Sequence, residues 1–313
     1  MSRRGARLPA ASRAALRWAR RLERSRPARE SEGLFLAWGR HLALEAVAAG
    51  FPLRRALVGE SLGASREGRA ILAALRRSRV DMRSAPARAL DSIVAGSGDQ
   101  GVVLLVERRA DTVEGVLDRG PTLVVVIHGV QDPGNVGSIA RTSLAFGADA
   151  LIALEGCADP FGSRAVRAGM GAHFRLPVIC GAATYCLERL RARGLQVVAA
   201  DPGGEATPPH VDLRRPSALL LGSEGAGLPT AVLATVDRRV RVPMAATVSS
   251  LNVHAAASVL LYEASRQRGL PPAGRARAPD ERDAPPLTGR SGPGSRVVST
   301  PTAPGRGPAG GRR

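Results

Sequence analysis

The segment that decides the fold is residues 122–147, "TLVVVIHGVQDPGNVGSIARTSLAFG". It opens with the apolar run TLVVVI, which is typical of a strand buried on both faces of a parallel sheet. A turn with proline and glycine follows. The small residues between Gly137 and Gly147 then predict a helix over 135–146. This order of strand, turn and helix indicates an α/β domain.

Asn135 and Arg141 stand six residues apart in this segment. On one interpretation Asn135 caps the helix and Arg141 points to solvent. On the other, the two side chains are nearly two helical turns apart and reach a single pocket from the start of the helix. The segment alone leaves both interpretations open.

The same alternation of apolar strands and helices continues in both directions along the chain. Downstream it predicts an α/β domain with a parallel sheet over residues 120–269. Upstream it predicts a small α/β layer domain over residues 31–110, which begins with a helix over 33–50. The polar stretch 108–121 is interpreted as the linker between the two domains.

Both ends of the chain differ from these domains in composition. Residues 1–30 hold ten arginines against two glutamates, which indicates either a solvated basic arm or an arm that contacts RNA. Residues 270–313 are rich in Pro, Gly, Ser and Arg and hold few large apolar residues, so a disordered tail is predicted.

The charge balance narrows the class of partner. The formal net charge is +18 and no basic residue is lysine. An arginine-rich protein favours a polyanion, because each phosphate that is neutralised releases a counterion. Cys157, Cys180 and Cys186 have no metal-like spacing, so we expect reduced thiols and no metal site. Neither a signal peptide nor a membrane span is predicted, and we expect a cytoplasmic protein.

Three segments share one design, in which an apolar strand leads into a turn of small residues and then a helix. They read "VVVIHGVQDPGNVGSIARTS", "ALLLGSEGAGLP" and "VRVPMAATVSSLNVHAA". In open α/β sheets, ligands bind beyond the carboxyl ends of the strands. No segment completes G-x-G-x-x-G or G-x-x-x-x-G-K-[ST], which argues against a dinucleotide oxidoreductase and against a nucleoside triphosphatase.

Taken together and in this order, the three segments resemble the SpoU (TrmH) branch of the SPOUT superfamily, the S-adenosylmethionine-dependent RNA 2′-O-ribose methyltransferases. The resemblance covers about residues 122–268. It rests on these motifs: Asn135-x-Gly137-x-x-x-Arg141 with Phe146-Gly147, then Leu221-Gly222-Ser223-Glu224-Gly225-x-Gly227-Leu228, then Val242-Pro243-Met244 with Ser250-Leu251-Asn252-Val253. "TVSSLNV" and "LLYEASRQR" are similar to the bacterial branch that acts on a large-subunit ribosomal RNA guanosine. "HLALEAVAAG" and "GDQGVVLLV" are similar to the ribosomal-protein-like substrate-binding domain of that branch.

The resemblance implies a deep trefoil knot in the catalytic domain, S-adenosylmethionine as cofactor, a ribosomal RNA substrate and a homodimer with the RNA strand lying across both protomers. The implied cofactor-binding residues are Leu221, Gly222, Val242, Met244 and Leu251. The implied catalytic residues are Asn135, Arg141, Glu224, Ser250 and Asn252. Two alternatives stay open, a transfer RNA 2′-O-methyltransferase and a non-catalytic RNA-binding factor for ribosome assembly.

The family assigns Arg141 a central role, sometimes as the base that removes the hydroxyl proton. A guanidinium with a pKa above about 12 is a poor base, so a grip on the adjacent phosphate is the alternative role. Asn135 and Asn252 are expected to orient Arg141 or the ribose, while Glu224 is expected to pair with an arginine. Ser250 is expected to hydrogen-bond the substrate or the cofactor.

The third motif departs from the family pattern at two positions. Ala246 stands where the family usually has glycine, and its methyl group would strain a loop that needed a positive φ there. His254 stands where a small hydroxyl residue is common. We expect it to be a packing or surface histidine.

Overall fold

A computed structural model of the chain describes residues 8–245, 247 and 250–269. The predicted tail at 270–313, the departure at Ala246 and the first seven residues of the predicted basic arm lie outside the described residues. Within the described ranges, no helix is long and apolar enough to cross a membrane.

The N-terminal half forms a four-stranded mixed sheet with helices on both faces. Its elements are α1 (Arg13–Arg24), α2 (Arg26–Glu32), β1 (Leu34–Trp38), α3 (Arg40–Ala48), β2 (Leu53–Gly59), α4 (Arg66–Arg77), β3 (Met82–Ala85), α5 (Ala87–Asp91), α6 (Ser97–Gln100) and β4 (Val102–Glu107). The strand order is β1-β4-β2-β3. Strand β4 runs antiparallel to both of its neighbours, and β2 pairs with β3 in parallel.

The helix predicted over 33–50 is wrong in its first part, because residues 34–38 form strand β1. Gly33 and Gly39 bracket this strand with positive φ values of 62° and 97°, and only then does α3 begin. The first four residues of β1 are all buried. A short apolar run that is buried on both faces carries no alternation, so its pattern does not separate a strand from a helix.

Residues from 13 onward form helices α1 and α2, and the solvated-arm interpretation is wrong for them because both helices bury side chains in the folded protein. The side chains of Ser12 and Ser25 cap the two helices. Ala19 and Leu22 are fully buried against one face of the N-terminal sheet. The helices therefore belong to the folded layer.

The C-terminal half forms a six-stranded, wholly parallel sheet, as predicted. After α7 (Val113–Leu117), its elements are β5 (Leu123–Ile127), α8 (Pro133–Ala145), β6 (Ala150–Ala153), α9 (Ser163–Ala168), β7 (Val178–Cys180), α10 (Ala183–Ala192), β8 (Gln196–Ala200), β9 (Ser217–Leu221), α11 (Thr230–Leu233), β10 (Arg238–Val240) and α12 (Val253–Gln267). The strand order is β10-β8-β9-β5-β6-β7, with every pairing parallel. The trefoil knot stays a prediction.

The glycine of the first motif has a packing role. A Cβ atom on Gly137 would lie 2.1 Å from the carbonyl oxygen of Ala165 and 2.7 Å from the Cβ of Ala168. Both of these residues belong to α9. Only glycine therefore allows α8 to approach α9 this closely, and the site that α8 carries depends on that contact.

The predicted linker at 108–121 is packed against both halves. The guanidinium of Arg108 lies 4.1 Å from the ring centre of Phe161. Arg109 stacks over Phe51 and donates a 3.0 Å hydrogen bond to the carbonyl of Phe174. Phe35 and Phe161, one from each half, have ring centres 5.4 Å apart inside one shared apolar cluster. The two halves therefore share part of their core.

Candidate active site

The second and third motifs and the loop after β8 surround one cavity at the carboxyl edge of the parallel sheet. Its volume is about 540 Å³. The lining includes all five residues predicted to bind the cofactor: Leu221, Gly222, Val242, Met244 and Leu251. Glu224 and Ser250, from the predicted catalytic set, also line it. Backbone and apolar side chains dominate the walls, with two carboxylates and two serine hydroxyls among them. This is the usual composition of a small-molecule site.

The second motif forms a tight loop along this cavity. Ser223 and Gly227 exchange two backbone hydrogen bonds of 3.1 Å, and Gly227 has a φ of +65°. A Cβ atom on Gly222 would lie 2.4 Å from the carbonyl carbon of Gly227. Gly222 and Gly227 are therefore both required for the loop to close on itself.

Three predicted catalytic residues, one from each motif, form a hydrogen-bonded chain. The Asn135 Nδ2 donates to Glu224 Oε1. The Asn252 Nδ2 donates to Asn135 Oδ1 over 3.3 Å. This chain joins the starts of α8 and α12 to the Gly-rich loop, and Glu224 carries it to the wall of the cavity.

The interpretation of Asn135 as the cap of α8 is wrong, because Asp132 caps this helix. The Asp132 side chain accepts a 2.9 Å hydrogen bond from the backbone N–H of Asn135, so the Asn135 side chain is left to reach Glu224 and Asn252. Asn252 in turn caps α12, where its Oδ1 accepts from the N–H of His254 over 2.9 Å. Asn252 therefore has both a capping role and a place in the hydrogen-bonded chain.

Arg141 lies outside this chain and is exposed to solvent. Among the residues that the structure describes, its guanidinium has no hydrogen bond or ion pair. An α-helix repeats about every 3.6 residues. Thr142, seven positions after Asn135, therefore lies on the same helix face as Asn135, whereas Arg141, six positions after it, does not. The Arg141 guanidinium is therefore accessible to a ligand from solution.

His254 is half-buried between α8 and α12. Its Nε2 lies 2.9 Å from the Thr142 hydroxyl and 3.4 Å from the Ser258 hydroxyl. Burial and, secondarily, the positive charge of Arg141 lower the pKa of His254. The expected packing histidine is therefore a neutral side chain that ties the start of α12 to α8.

The end of β8 and the loop after it supply lining residues that the sequence predictions left out: Ala200, Asp201 and Pro202. Asp201 accepts a 2.6 Å hydrogen bond from Arg239 Nε, which fixes the carboxylate at the rim of the cavity. The available signal was the Asp-Pro-Gly turn directly after an apolar strand, since every loop at this edge of a parallel sheet is a candidate for ligand binding.

Cys157, Cys180 and Cys186 are free thiols. Burial raises the pKa of all three, that of Cys186 to about 11, so they are poor nucleophiles. Across residues 8–245, 247 and 250–269, no group of three or more His, Cys, Asp or Glu side chains is arranged to hold a metal ion.

Comparison with known proteins bears on the identity of this site. Residues 122–262 match the model of the SpoU rRNA methylase family, and residues 36–111 match the RNA 2′-O ribose methyltransferase substrate-binding model. The chain is 34% identical over 276 residues to the 23S rRNA (uridine(2479)-2′-O)-methyltransferase of Streptomyces viridochromogenes, covering 85% of this chain and 96% of that protein. The chain belongs to the SpoU rRNA methylase family.

Other SpoU relatives agree with this assignment. The 23S rRNA (guanosine-2′-O-)-methyltransferase RlmB of Bordetella pertussis is 36% identical over 187 residues, which cover 58% of this chain and 76% of RlmB. The crystal structure of the SpoU methyltransferase AviRb from S. viridochromogenes with AdoMet superposes with a TM-score of 0.74 at 32% identity, covering 82% of this chain and 98% of AviRb. The AdoMet-bound rRNA methyltransferase from Sinorhizobium meliloti gives a TM-score of 0.72 at 27% identity, covering 83% of this chain and 97% of that chain.

Proposed function

We propose that this protein is an S-adenosylmethionine-dependent methyltransferase that modifies a ribose 2′-hydroxyl of ribosomal RNA. One observation carries the proposal: the cavity lined by the second and third motifs adjoins the hydrogen-bonded chain of Asn135, Glu224 and Asn252. A site for a small molecule thus lies beside a polar site that is open to solvent. Membership of the SpoU family and the AdoMet complexes of two relatives support the same reading.

The cavity suits a nucleoside-containing cofactor in size and chemistry. Its volume of about 540 Å³ lies within the range of small-molecule sites. Leu221, Val242 and Leu251 offer an apolar bed for an adenine ring, and the backbone of Gly222 is open to close approach. Glu224 and Asp201 place carboxylates at the rim, where they suit hydroxyl groups and a positive charge. When bound, S-adenosylmethionine supplies a methyl group on a sulfonium, a good leaving group.

The protein's task is then to place and activate a weak nucleophile. Alignment of the reacting groups can lower a barrier by roughly 7–11 kcal/mol in well-oriented systems. Asn135 and Asn252 hold each other, and their amides are suited to fixing a ribose hydroxyl. Arg141 grips the neighbouring phosphate through its planar fork and stabilises the developing alkoxide. A guanidinium does not give up its proton readily, so we do not assign Arg141 as the base.

Methyl transfer is tested with purified protein, methyl-labelled S-adenosylmethionine and deproteinised 23S ribosomal RNA. Label should enter the RNA at a linkage that resists alkaline cleavage, the mark of a 2′-O-methyl group. Glu224→Ala removes the acceptor of Asn135 and should lower the rate by on the order of a hundredfold. Glu188→Ala, an exposed glutamate on α10, is the matched control and should transfer label normally. Wild-type protein that binds the RNA and the cofactor but transfers no label would establish the non-catalytic alternative.

The RNA class is assigned to ribosomal RNA because the SpoU relatives named above act on 23S rRNA. We propose that residues 31–110 bind this RNA, with residues 1–30 adjoining them, and that residues 120–269 carry the catalysis. Mapping of 2′-O-methyl sites in a deletion strain identifies the nucleotide and its base. A missing modification in transfer RNA, with ribosomal RNA unchanged, would favour the transfer RNA alternative.

We also propose that the enzyme is a homodimer and acts in the cytoplasm, where its RNA substrate is found. An exposed apolar face on α12 supports the dimer: Tyr262 is 50% exposed and Val259 is 39% exposed. Tyr262 packs edge-on against Phe146 beside α8, so this face adjoins the helix that carries Arg141. Light scattering should give twice the chain mass, and Tyr262→Glu together with Val259→Glu should give a monomer. A monomeric wild-type protein would contradict the proposed assembly.

A further inference from the structure

Helix α1 carries four arginines along one face. Arg13, Arg17, Arg20 and Arg24 lie at spacings of four, three and four residues, which aligns them in a stripe on a helix. The buried residues Ala15, Ala19 and Leu22 lie on the opposite side, against the N-terminal sheet. The stripe therefore faces away from the protein core. We call these four residues the arginine face of α1.

The arginine face is largely without counter-charge. Among the described residues, Arg13, Arg17 and Arg24 have no hydrogen bond or ion pair, and Arg20 contacts only the neutral hydroxyl of Ser92. Like charges four residues apart on a helix repel each other. In most solvated faces acidic residues alternate with basic ones and relieve this repulsion. On the arginine face this repulsion is not relieved by acidic residues. An anionic partner that bound there would relieve it.

The single acidic residue of α1 is turned away from the arginine face. Glu23 accepts a 2.5 Å hydrogen bond from the Ser163 hydroxyl at the start of α9. Burial raises the pKa of Glu23, while the Ser163 hydrogen bond and the charge of Arg29 act in the opposite direction. The carboxylate that lies beside Arg24 in the sequence is thus used for packing against the catalytic half.

Helix α1 is held rigidly against the half that carries the catalytic motifs. Arg29 of α2, 7% exposed, donates to Asp159 Oδ2 through Nη2 and Nε over 2.6 and 2.8 Å. The loop that contains Asp159 also bonds to the loop before α8, where the N–H of Ala158 donates to the carbonyl of Val130 over 2.8 Å. The Arg24 end of the stripe therefore lies toward the catalytic half, at a fixed distance from it.

We propose that the arginine face of α1 is a docking surface for the phosphate backbone of the RNA substrate. It lies outside residues 36–111, which match the substrate-binding model, and so adds a second contact surface to that domain. The inference deepens the proposed function and rests on it for the choice of RNA over other polyanions. Guanidinium forks bind phosphate oxygens in a bidentate manner, and a rigid row of them suits the repeating backbone charge.

The test compares two triple variants that remove the same charge. Arg13→Gln, Arg17→Gln and Arg24→Gln remove three of the four charges of the arginine face and leave Arg20, which is bonded to Ser92. Arg66→Gln, Arg76→Gln and Arg77→Gln remove three exposed arginines of α4, which packs against the other face of the N-terminal sheet. Binding of deproteinised 23S ribosomal RNA is measured by filter binding over a series of salt concentrations. Circular dichroism and the binding of S-adenosylmethionine report whether each variant is folded.

The α1 variant should bind the RNA at least tenfold more weakly, and its slope of log K against log salt should be shallower by about 2–3. The α4 variant should keep the wild-type slope. Arginine-to-lysine changes at the same three α1 positions should restore most of the slope and only part of the affinity. Equal loss in the α1 and α4 variants, or none in the α1 variant, would overturn the proposal. A competition between the RNA and anionic phospholipid vesicles tests the other polyanion. If the vesicles displace the RNA from wild-type protein and bind it, but do not bind the α1 variant, the surface is reassigned to a membrane.

This readout is separate from that of the proposed function. Salt-dependent binding is measured without methyl transfer, so the docking surface is judged even if the wild-type protein transfers no label. Conversely, if the wild type methylates the RNA and the α1 variant retains its affinity and slope, the proposed function stands and the docking surface does not.

Discussion

At the scale of single residues, Arg141 differs from its predicted partners. Asn135, Glu224 and Asn252 bond to one another, while Arg141 is exposed and has no hydrogen bond or ion pair in the described part of the chain. An arginine held this way is available for an incoming phosphate. Burial lowers the pKa of the neighbouring His254, and the positive charge of Arg141 lowers it further.

Arg141→Ala should lower the methylation rate by on the order of a hundredfold, the effect of losing one preorganised donor to a developing charge. Arg141→Lys keeps the charge but not the fork geometry, so it should recover only part of the rate. Because Arg141 does not line the cavity, calorimetry should give a nearly unchanged Kd for S-adenosylmethionine in both variants. Near-normal turnover in both would contradict the phosphate grip, and a selective loss of cofactor binding would assign Arg141 to the cavity.

His173 should make stability depend on pH. It is 4% exposed, bonds through Nε2 to the carbonyl of Pro160, and burial lowers its pKa to about 4. The unfolded chain, with a histidine pKa near 6.5, binds this proton first as the pH falls. The stability contribution is therefore complete above about pH 6.5 and is lost progressively toward pH 4, by on the order of 2 kcal/mol at pH 4.5.

The comparison of His173→Gln with wild type isolates this contribution. Glutamine keeps a donor for Pro160 but does not titrate, so urea unfolding at pH 7 and at pH 4.5 should show a smaller acid loss in the variant. His210→Gln changes an exposed histidine and should keep the wild-type pH dependence. The same acid loss in His173→Gln as in wild type would show that other groups cause it.

At the scale of elements, the loop 222–228 shows why a motif needs its particular glycines. Gly222 lies against the backbone of Gly227 and Leu228, whereas a Cβ atom on Gly225 would meet nothing within 4 Å. The glycines of one motif thus serve different purposes. Gly222 is required by the close approach of backbone to backbone, and Gly227 by its positive φ.

Gly222→Ala should lower the melting temperature and weaken S-adenosylmethionine binding by at least about tenfold, or 1.4 kcal/mol. The added Cβ would lie 2.4–2.7 Å from backbone atoms of Gly227 and Leu228, so the loop that lines the cavity has to shift. Gly225→Ala adds the same methyl group in open space and should keep the wild-type melting temperature. Unchanged melting and calorimetry in Gly222→Ala would mean that the loop accommodates a side chain there.

At the scale of the whole molecule, the two halves are joined by buried polar and aromatic contacts. Asp159 accepts from Arg29 through Oδ2 and from the N–H of Phe161 through Oδ1. Phe35 packs on Phe161 in the shared apolar cluster. The N-terminal half therefore packs against the catalytic half through a shared core, and under the proposed function it would hold bound RNA at a set position relative to the cavity.

Arg29→Ala should lower the free energy of unfolding by about 3–5 kcal/mol, because it leaves the carboxylate of Asp159 buried without its partner. The side chains of the pair are only 9% and 15% exposed. Arg26→Ala, on the same helix, breaks the exposed pair with Glu30 and should cost about 0–1 kcal/mol. Denaturant unfolding measures both. Similar small losses in the two variants would show that the Arg29 pair does not join the halves.

The sequence by itself was sufficient for those features that depend on local pattern. Apolar strands followed by small-residue turns predicted the parallel sheet, and the order of three motifs predicted the SpoU family. The same pattern misassigned residues 34–38, because a strand buried on both faces has no alternation to separate it from a helix. It also left open whether Asn135 caps α8, since both Asn135 and Asp132 are good capping residues and only the path of the chain selects Asp132.

Tertiary structure alone decided the relations between residues distant in sequence. The chain from Asn135 to Glu224 and Asn252 joins side chains 89 and 117 positions apart, and no local rule predicts such a contact. The loop after β8 lines the cavity because β8 lies beside β9 and β10 in the sheet, and this strand order is set by the tertiary structure. The buried ion pair of Arg29 and Asp159 attaches helix α2, which the sequence predicted as part of a basic arm, to the catalytic half. Local sequence sets what each segment forms, while packing between segments determines which side chains meet, since burial and hydrogen bonding are satisfied only over the whole fold.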